Sequence, residues 1–270
     1  KIMQTDWGPI EIGNRNSGIV RSMDISRLKR GLNRADLAIC ISKETAKHLS
    51  QLMPKIPIQI VPNSVDVEAR DPRLNLRKRP ELNSDSTHLL VVGSEDRRKA
   101  LGFIFDVISE LDPEIRQNII VHKVGGESDP QAESRLKEKA KKLRIRLKWH
   151  GKVDEEKLIA LEQHVDALLF PSAAEGFGLP VVEAMASGCP VLVNDLGAQN
   201  EHPPDSCILP PFDISSWKNA IMKINTERIS QSSDHRPPRE DLILAASVYS
   251  AKQVSNLHAQ AYSKALELKK

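Results

Sequence analysis

Aromatic side chains are scarce, at 4% of the chain, which argues against the stacking platforms that grip single-stranded nucleic acid. Cysteine is scarcer still. Cys40, Cys189 and Cys207 are odd in number and far apart, so they form no disulfide framework. They read as small buried hydrophobes in a reducing compartment. No run approaches the roughly 20 apolar residues of a membrane span. The opening Lys1 to Trp7 lacks the form of a signal peptide, so a cytoplasmic setting is expected. Charge of one sign is also lacking. A net charge of +3 is too small to argue for nucleic acid as a partner. The longest basic stretch, Lys137 to Lys148, alternates with Leu and Ile and reads as a solvated helix face running into a strand. Peripheral contact with anionic lipid stays open as an alternative. There is no Asp-x-Asp motif and no ligand cluster with zinc or magnesium spacing, so no metal site is predicted.

What the chain does have is rhythm. Apolar runs at Leu37 to Ile41, Ile58 to Val61, Leu89 to Val92, Ile119 to Val124, Leu168 to Phe170 and Val191 to Val193 predict buried strands. Helical patterns lie between them, at Lys43 to Leu52, Leu101 to Leu111, Ser134 to Leu143 and Glu155 to His164. This alternation predicts an α/β fold with doubly wound parallel sheets. The stretch from Asp66 to Thr87 breaks the rhythm with Pro72, Pro80 and scattered cations, and reads as a linker. Four parts are therefore expected: a first domain over 1–66, a linker over 67–86, a second domain over 87–240, and C-terminal helices over 241–270. An open α/β domain usually needs roughly 100 residues, so the first is expected to be incomplete. A partner chain that completes it is one way to meet that need.

The densest chemistry lies in Glu175 to Glu183. Two carboxylates bracket a glycine loop and the start of a helix, just after the strand ending at Phe170. Pro180 suits a first helical turn, and Gly188 and Pro190 close the helix. The motif thus lies at the carboxyl end of a strand, where open α/β sheets hold ligands. Gly176 and Gly178 allow close backbone approach, and the amides of Phe177, Gly178 and Leu179 are candidate donors to hydroxyl or phosphate oxygens. Glu183, read as a first-turn residue, has a plain alternative as a dipole-complementing acid. Glu175 has a plain alternative as a solvated loop acid.

A second constellation runs from Gly93 to Lys99, between the strand ending at Val92 and the helix from Leu101. Arg97, Arg98 and Lys99 at a helix N-terminus oppose the macrodipole by roughly 0.3–1 kcal/mol each. A phosphate there would favour both the dipole and the cations. A solvated basic loop is the alternative.

These motifs resemble one family closely. PSAAEGFGLPVVEAMASGCPVLVND, Pro171 to Asp195, resembles the donor-binding motif of retaining GT-B glycosyltransferases of family 4, with two glutamates separated by seven residues. VVGSEDRRKAL, Val91 to Leu101, is similar to that family's phosphate loop. VPNSVDVE, Val61 to Glu68, is similar to the turn that ends its first domain, with Ser64 where glycine is usual. Ser94 stands where arginine is frequent, and Arg97 and Arg98 lie close by. ADLAICIS, Ala35 to Ser42, resembles a strand upstream of that turn. The resemblance implies two Rossmann-like domains and a nucleotide-diphospho-sugar donor, a UDP-, GDP- or ADP-sugar, with no further cofactor. It implies that Arg98 and Lys99 neutralise the diphosphate, with Gly93 in the same loop. Glu183 would accept from the ribose hydroxyls and Glu175 would meet the transferred sugar, with Phe177, Gly178 and Leu179 donating amides. It implies metal-independent transfer with retention, by same-face displacement, to a glycan, lipid or small-molecule acceptor held across the cleft. The helix Ala251 to Leu268 would cross back to the first domain.

The family's glycine-rich N-terminal loop and the histidine that many members hold near the reacting carbon are not evident, and Asp6 is the nearest candidate for that end of the site. Among the histidines, His122 reads as packed within a strand, and His150 as structural or lining the nucleotide site. His164 ends a helix, where its charge suits the dipole. His202 and Asp205 lie in a loop near the expected cleft. Two rivals remain. One is a non-catalytic nucleotide-sugar-binding subunit completed by a partner chain. The other is a phosphorylase or epimerase on the same fold.

Overall fold

The structure, a computed structural model, describes residues 2–5, 30–126, 130–230 and 237–268. Asp6 therefore lies outside the described residues. Two parallel sheets organise the chain. The smaller has three strands in the order β1 (Ile2–Thr5), β2 (Leu37–Cys40), β3 (Ile58–Ile60). Helix α1 (Lys43–Leu52) connects β2 to β3 and opens with a capping box between Ser42 and Thr45. Its Leu49 packs on Ala38 and Cys40.

After the short helix α2 (Val67–Arg70), the larger sheet begins. Its strands are β4 (Thr87–Val92), β5 (Ile119–Val124), β6 (Arg146–Gly151), β7 (Ala167–Phe170), β8 (Val191–Asn194) and β9 (Ile208–Leu209). They stand in the order β6-β5-β4-β7-β8-β9, all pairs parallel. The chain winds outward from β4 in one direction, then returns and winds from β7 in the other. The junction of β4 and β7 is thus the topological switch point, where a crevice opens beyond the strand ends.

Helices cover both faces, as an all-parallel sheet requires. On one face lie α3 (Leu101–Ser109), α5 (Pro130–Lys142) and α8 (Ile214–Ser230), with α4 (Pro113–Asn118) leading into β5. Ile104, Phe105, Ile108, Trp217 and Ile221 pack there against Leu89, Val91 and Leu169. On the other face, α6 (Glu155–His164), α7 (Leu179–Ala186) and α9 (Glu240–Ala246) pack Leu161, Val182, Met185, Leu242 and Ala246 against Leu90, Leu168 and Phe170. Glu240–Ala246 therefore stays with the larger sheet. The crossing back is made by α10 (Ala251–Leu268), whose Val254, Ala261 and Ala265 pack on Leu37, Ile39 and Val61. The stretch between the sheets is not loose. Gln163 on α6 donates its side-chain amide to the carbonyls of Arg70 and Asn75, at 2.9 and 3.0 Å. All three cysteines are buried, and none forms a disulfide. Among the described residues no helix is long and apolar enough to cross a membrane.

A row of imidazoles crosses the second face. His88 Nδ1 lies 2.8 Å from His122 Nε2, and His122 Nδ1 lies 3.0 Å from His150 Nε2. His88 Nε2 faces the Asn83 carbonyl and must donate to it. Each ring in turn then donates through Nε2, and His88 and His122 accept through Nδ1, so the row is built from neutral rings. Burial lowers all three, His122 to about 3 and His150 to about 4. His150 thus belongs to this row, and its proximity to Lys148 and Lys157 lowers it further. The unfolded chain binds a proton at these sites near pH 6.5, and the folded chain does so only lower. Stability is therefore complete above pH 6.5 and is lost as pH falls toward 3. For His122, with 1% exposure, about 1.4 kcal/mol per unit gives a loss on the order of 5 kcal/mol. His122→Gln keeps one donor and one acceptor without the titration. Urea unfolding from pH 7 to 3 should show the wild type losing that much more stability than the variant. Parallel profiles would contradict it.

Candidate functional site

Two loops meet at the switch point. The first leaves β4 at Gly93 (φ +141°) and forms a 3-10 turn over Arg97–Lys99, capped by Asp96 on the amide of Arg98. Ala100 then takes a left-handed conformation (φ 49°) before α3 starts. The three cations are therefore not in the first turn of α3, as the sequence suggested. A separate reversed turn holds them, and it aims Arg98 and Lys99 across at the second loop.

That second loop, Pro171 to Gly178, leaves β7. The amide of Ala173 donates to the Arg98 carbonyl at 2.7 Å. Arg98 Nη1 reaches the Ala174 carbonyl and Glu175 Oε2, both at 3.1 Å. Lys99 Nζ lies 2.6 Å from Glu175 Oε1 and over the Phe170 ring, 4.9 Å from its centroid. Glu175 is thus a buried acid between two cations, with 7% of its surface exposed. The solvated alternative fails because both oxygens are held by the opposite loop.

The basic loop is itself anchored from beneath. Lys123 in β5 and Glu95 form a fully buried ion pair. Lys123 also lies over the Trp149 ring, 4.4 Å from its centroid. Gly125 takes φ +135°, and a Cβ there would sit 2.2 Å from the Gly93 carbonyl oxygen. Sequence reasoning gave none of these a role. A lysine beside His122 within an apolar strand was the one available signal.

Gly178, at φ 93°, is the N-cap of α7, and Pro180 follows in its first turn. A Cβ on Gly178 would meet Gln199 Cβ at 2.9 Å. The amides of Phe177, Gly178 and Leu179 meet no acceptor among the described residues. They form a donor cluster beside Glu175, at the positive end of a helix. The Phe177 ring is buried and lies against His202, with centroids 4.5 Å apart. His202 Nε2 donates to the Phe177 carbonyl at 2.6 Å, and Nδ1 accepts from the Tyr249 hydroxyl at 2.8 Å. Burial lowers His202 to about 4, so the ring is neutral in this role. His202 buttresses the loop, whereas Asp205 stands outside it in a 3-10 turn over Asp205–Cys207.

Glu183 differs from its sequence reading. It lies in the second turn of α7, and the first turn holds no acid, so the helix dipole does not account for it. Its Oε1 is 3.3 Å from Arg70 Nη2. Burial raises its pKa, Arg70 lowers it, and Glu155 raises it again. Glu201 was also missed. Its carboxylate accepts from the amides of Lys43 and Glu44, at 2.9 and 2.8 Å, and so caps α1 of the small sheet from the larger domain. His164 bonds the Arg77 carbonyl at 2.9 Å; it serves the linker, not the site.

Comparison with known proteins gives the family and the fold. The family described as Glycosyl transferases group 1 matches residues 72–236. The D-inositol 3-phosphate glycosyltransferase of Geodermatophilus obscurus is 31% identical over 147 residues, covering 51% of this chain and 33% of that protein. The chain spans well under half the length of the curated relatives it matches. Sucrose-phosphate synthase from Thermosynechococcus elongatus superposes with a TM-score of 0.78 at 21% identity, covering 98% of this chain and 68% of that one. Anabaena Alr3699/HepE in complex with UDP and glucose superposes with a TM-score of 0.73 at 17% identity, covering 89% and 67%. At such identities the likeness is one of fold.

Proposed function

This chain belongs to the glycosyl transferases group 1 family and has its GT-B architecture; on that premise we propose that its larger domain binds a nucleotide-diphospho-sugar. The protein transfers the sugar to an acceptor hydroxyl with retention and without a metal. The observation that carries this reading is the meeting of Arg98, Lys99 and Glu175 at the switch point, beside the free amides of the α7 N-terminus.

The chemistry follows from those groups. Breaking the anomeric C–O bond sends its electron pair to the diphosphate and leaves an oxocarbenium-like sugar. Arg98 and Lys99 are already held in place, so they stabilise that charge without reorganising. The diphosphate competes with Glu175 for the two cations. Freed of them, the carboxylate turns to the hydroxyls of the transferred sugar. The amides of Phe177, Gly178 and Leu179 complete the polar cradle, and Gly93 lets the phosphates approach the β4 loop. Glu183 takes the ribose hydroxyls. The acceptor oxygen attacks from the face the diphosphate leaves, and its proton passes to a leaving phosphate oxygen. The complex of Alr3699/HepE with UDP and glucose supports a nucleotide-sugar as donor.

The test is binding first, then chemistry. One of UDP, GDP and ADP should raise the melting temperature, by about 2.7 kcal/mol of stabilisation at 100-fold over Kd. The matching sugar nucleotide should then yield a product with the donor's anomeric configuration by NMR. If no nucleoside diphosphate shifts the melting temperature, the reading is wrong.

A further inference from the structure

Arg70 is the last residue of α2, in the stretch joining the two sheets. It is 3% exposed and faces three carboxylates. Nη1 lies 2.6 Å from Glu162 Oε2, and Nη2 lies 3.3 Å from Glu183 Oε1 and 3.4 Å from Glu155 Oε1. Glu155 is 69% exposed at its side chain and screened by water. Glu162 and Glu183 are the partners that count.

Those two are not equivalent. Glu162 is fully buried, and burial pushes its pKa to about 7 against the pull of Arg70. Its Oε2 also accepts from Ser187 Oγ at 2.9 Å, while Oε1 has no partner among the described residues. Glu183 is 18% exposed at its side chain and so opens to the surface. Among the described residues Arg70 is the cation paired with it, with Glu155 and Glu162 the acids nearby. The backbone of Arg70 is pinned as well, by the Gln163 amide on its carbonyl. The guanidinium is therefore fixed from α6 and reaches across to α7.

We propose that Arg70 is a positioning residue, which from the linker holds the Glu183 carboxylate in place to accept hydrogen bonds from the ribose hydroxyls of a nucleoside diphosphate. The inference rests on the reading of Glu183 given above. Its consequence is that ribose recognition is tied to the interdomain linker as well as to the donor domain.

The test is calorimetric titration with whichever of UDP, GDP and ADP most raises the melting temperature, and with its 2′,3′-dideoxy counterpart. Wild type should prefer the ribonucleotide, and Glu183→Ala, which has no acceptor, should bind both alike. Removing Arg70 alone would leave Glu162 and Glu183 facing one another, so the informative variant is R70Q/E162Q. It should lose about tenfold in affinity for the ribonucleotide and none for the dideoxy form. R70K/E162Q, whose ammonium has Glu183 as its buried partner, should recover the preference. An R70Q/E162Q protein that still prefers the ribonucleotide as wild type does overturns the role of Arg70. So does R70K/E162Q without recovery. If Glu183→Ala keeps the preference, the reading of Glu183 itself falls, and Arg70 with it.

Discussion

Lys99→Ala is expected to lower turnover by about a hundredfold to a thousandfold, in a protein that still folds. The ammonium is 12% exposed at its side chain and 2.6 Å from Glu175. In so dry a site a fixed charge acts on the departing diphosphate far more strongly than in water. Loss of one preorganised stabiliser commonly costs that factor in kcat. Folding should survive because Glu175 keeps Arg98 as a partner. Arg98→Ala and Glu175→Ala should also reduce kcat strongly, whereas Glu183→Ala should mainly raise the donor KM. Because Arg98, Lys99 and Glu175 touch one another, their effects should not add. The double variant R98A/K99A should lose less than the product of the single losses. Steady-state kinetics on the full set decides it. If Arg98→Ala, Glu175→Ala and Glu183→Ala all turn over donor like wild type, the site is wrongly placed.

Gly125→Ala should damage the same site from behind. Its Cβ would lie 2.2 Å from the carbonyl oxygen and 2.7 Å from the carbonyl carbon of Gly93. Both are backbone atoms, so no side chain can swing aside. The positive φ of Gly125 adds its own strain, of order 1–3 kcal/mol. The easier relief is a shift of the β4 loop, which carries Arg98 and Lys99. We therefore expect a destabilisation of about 2–4 kcal/mol and a loss of more than tenfold in nucleoside diphosphate affinity. Urea unfolding and calorimetric titration would measure the two. Wild-type affinity in Gly125→Ala would mean that the Gly93 carbonyl does not help to set the loop.

Most strands and most helices were legible because their signal is local. Lys43–Leu52 and Glu155–His164 carry cap and period together, and Ile119–Val124 is a mostly buried run in which even His122 and Lys123 did not hide the strand. The glycine turn into α7 was legible because Gly178, Pro180 and Gly188 each have one main conformational use. The three cations were legible as a group, but their setting was misread. Ala100 adopts a left-handed conformation that a run of ordinary residues does not advertise. Glu183 was misread for a similar reason: the helix starts at Leu179, one residue earlier than Pro180, where Gly178 permits.

Composition, periodicity and turn chemistry by themselves determined the α/β class, the parallel sheets and the two loops on which chemistry concentrates. Those properties depend on neighbours a few residues apart, and the chain carries them openly. Which charges pair was decided only by folding. Lys99 meets Glu175, Arg70 meets Glu162 and Glu183, Lys123 meets Glu95, and Glu201 caps α1, all across separations that no local pattern encodes. A carboxylate or an imidazole looks the same in sequence whether water or a guanidinium will face it. The sheet order that brings β4 beside β7 makes that choice, because burial leaves each charge no partner but the one the packing supplies.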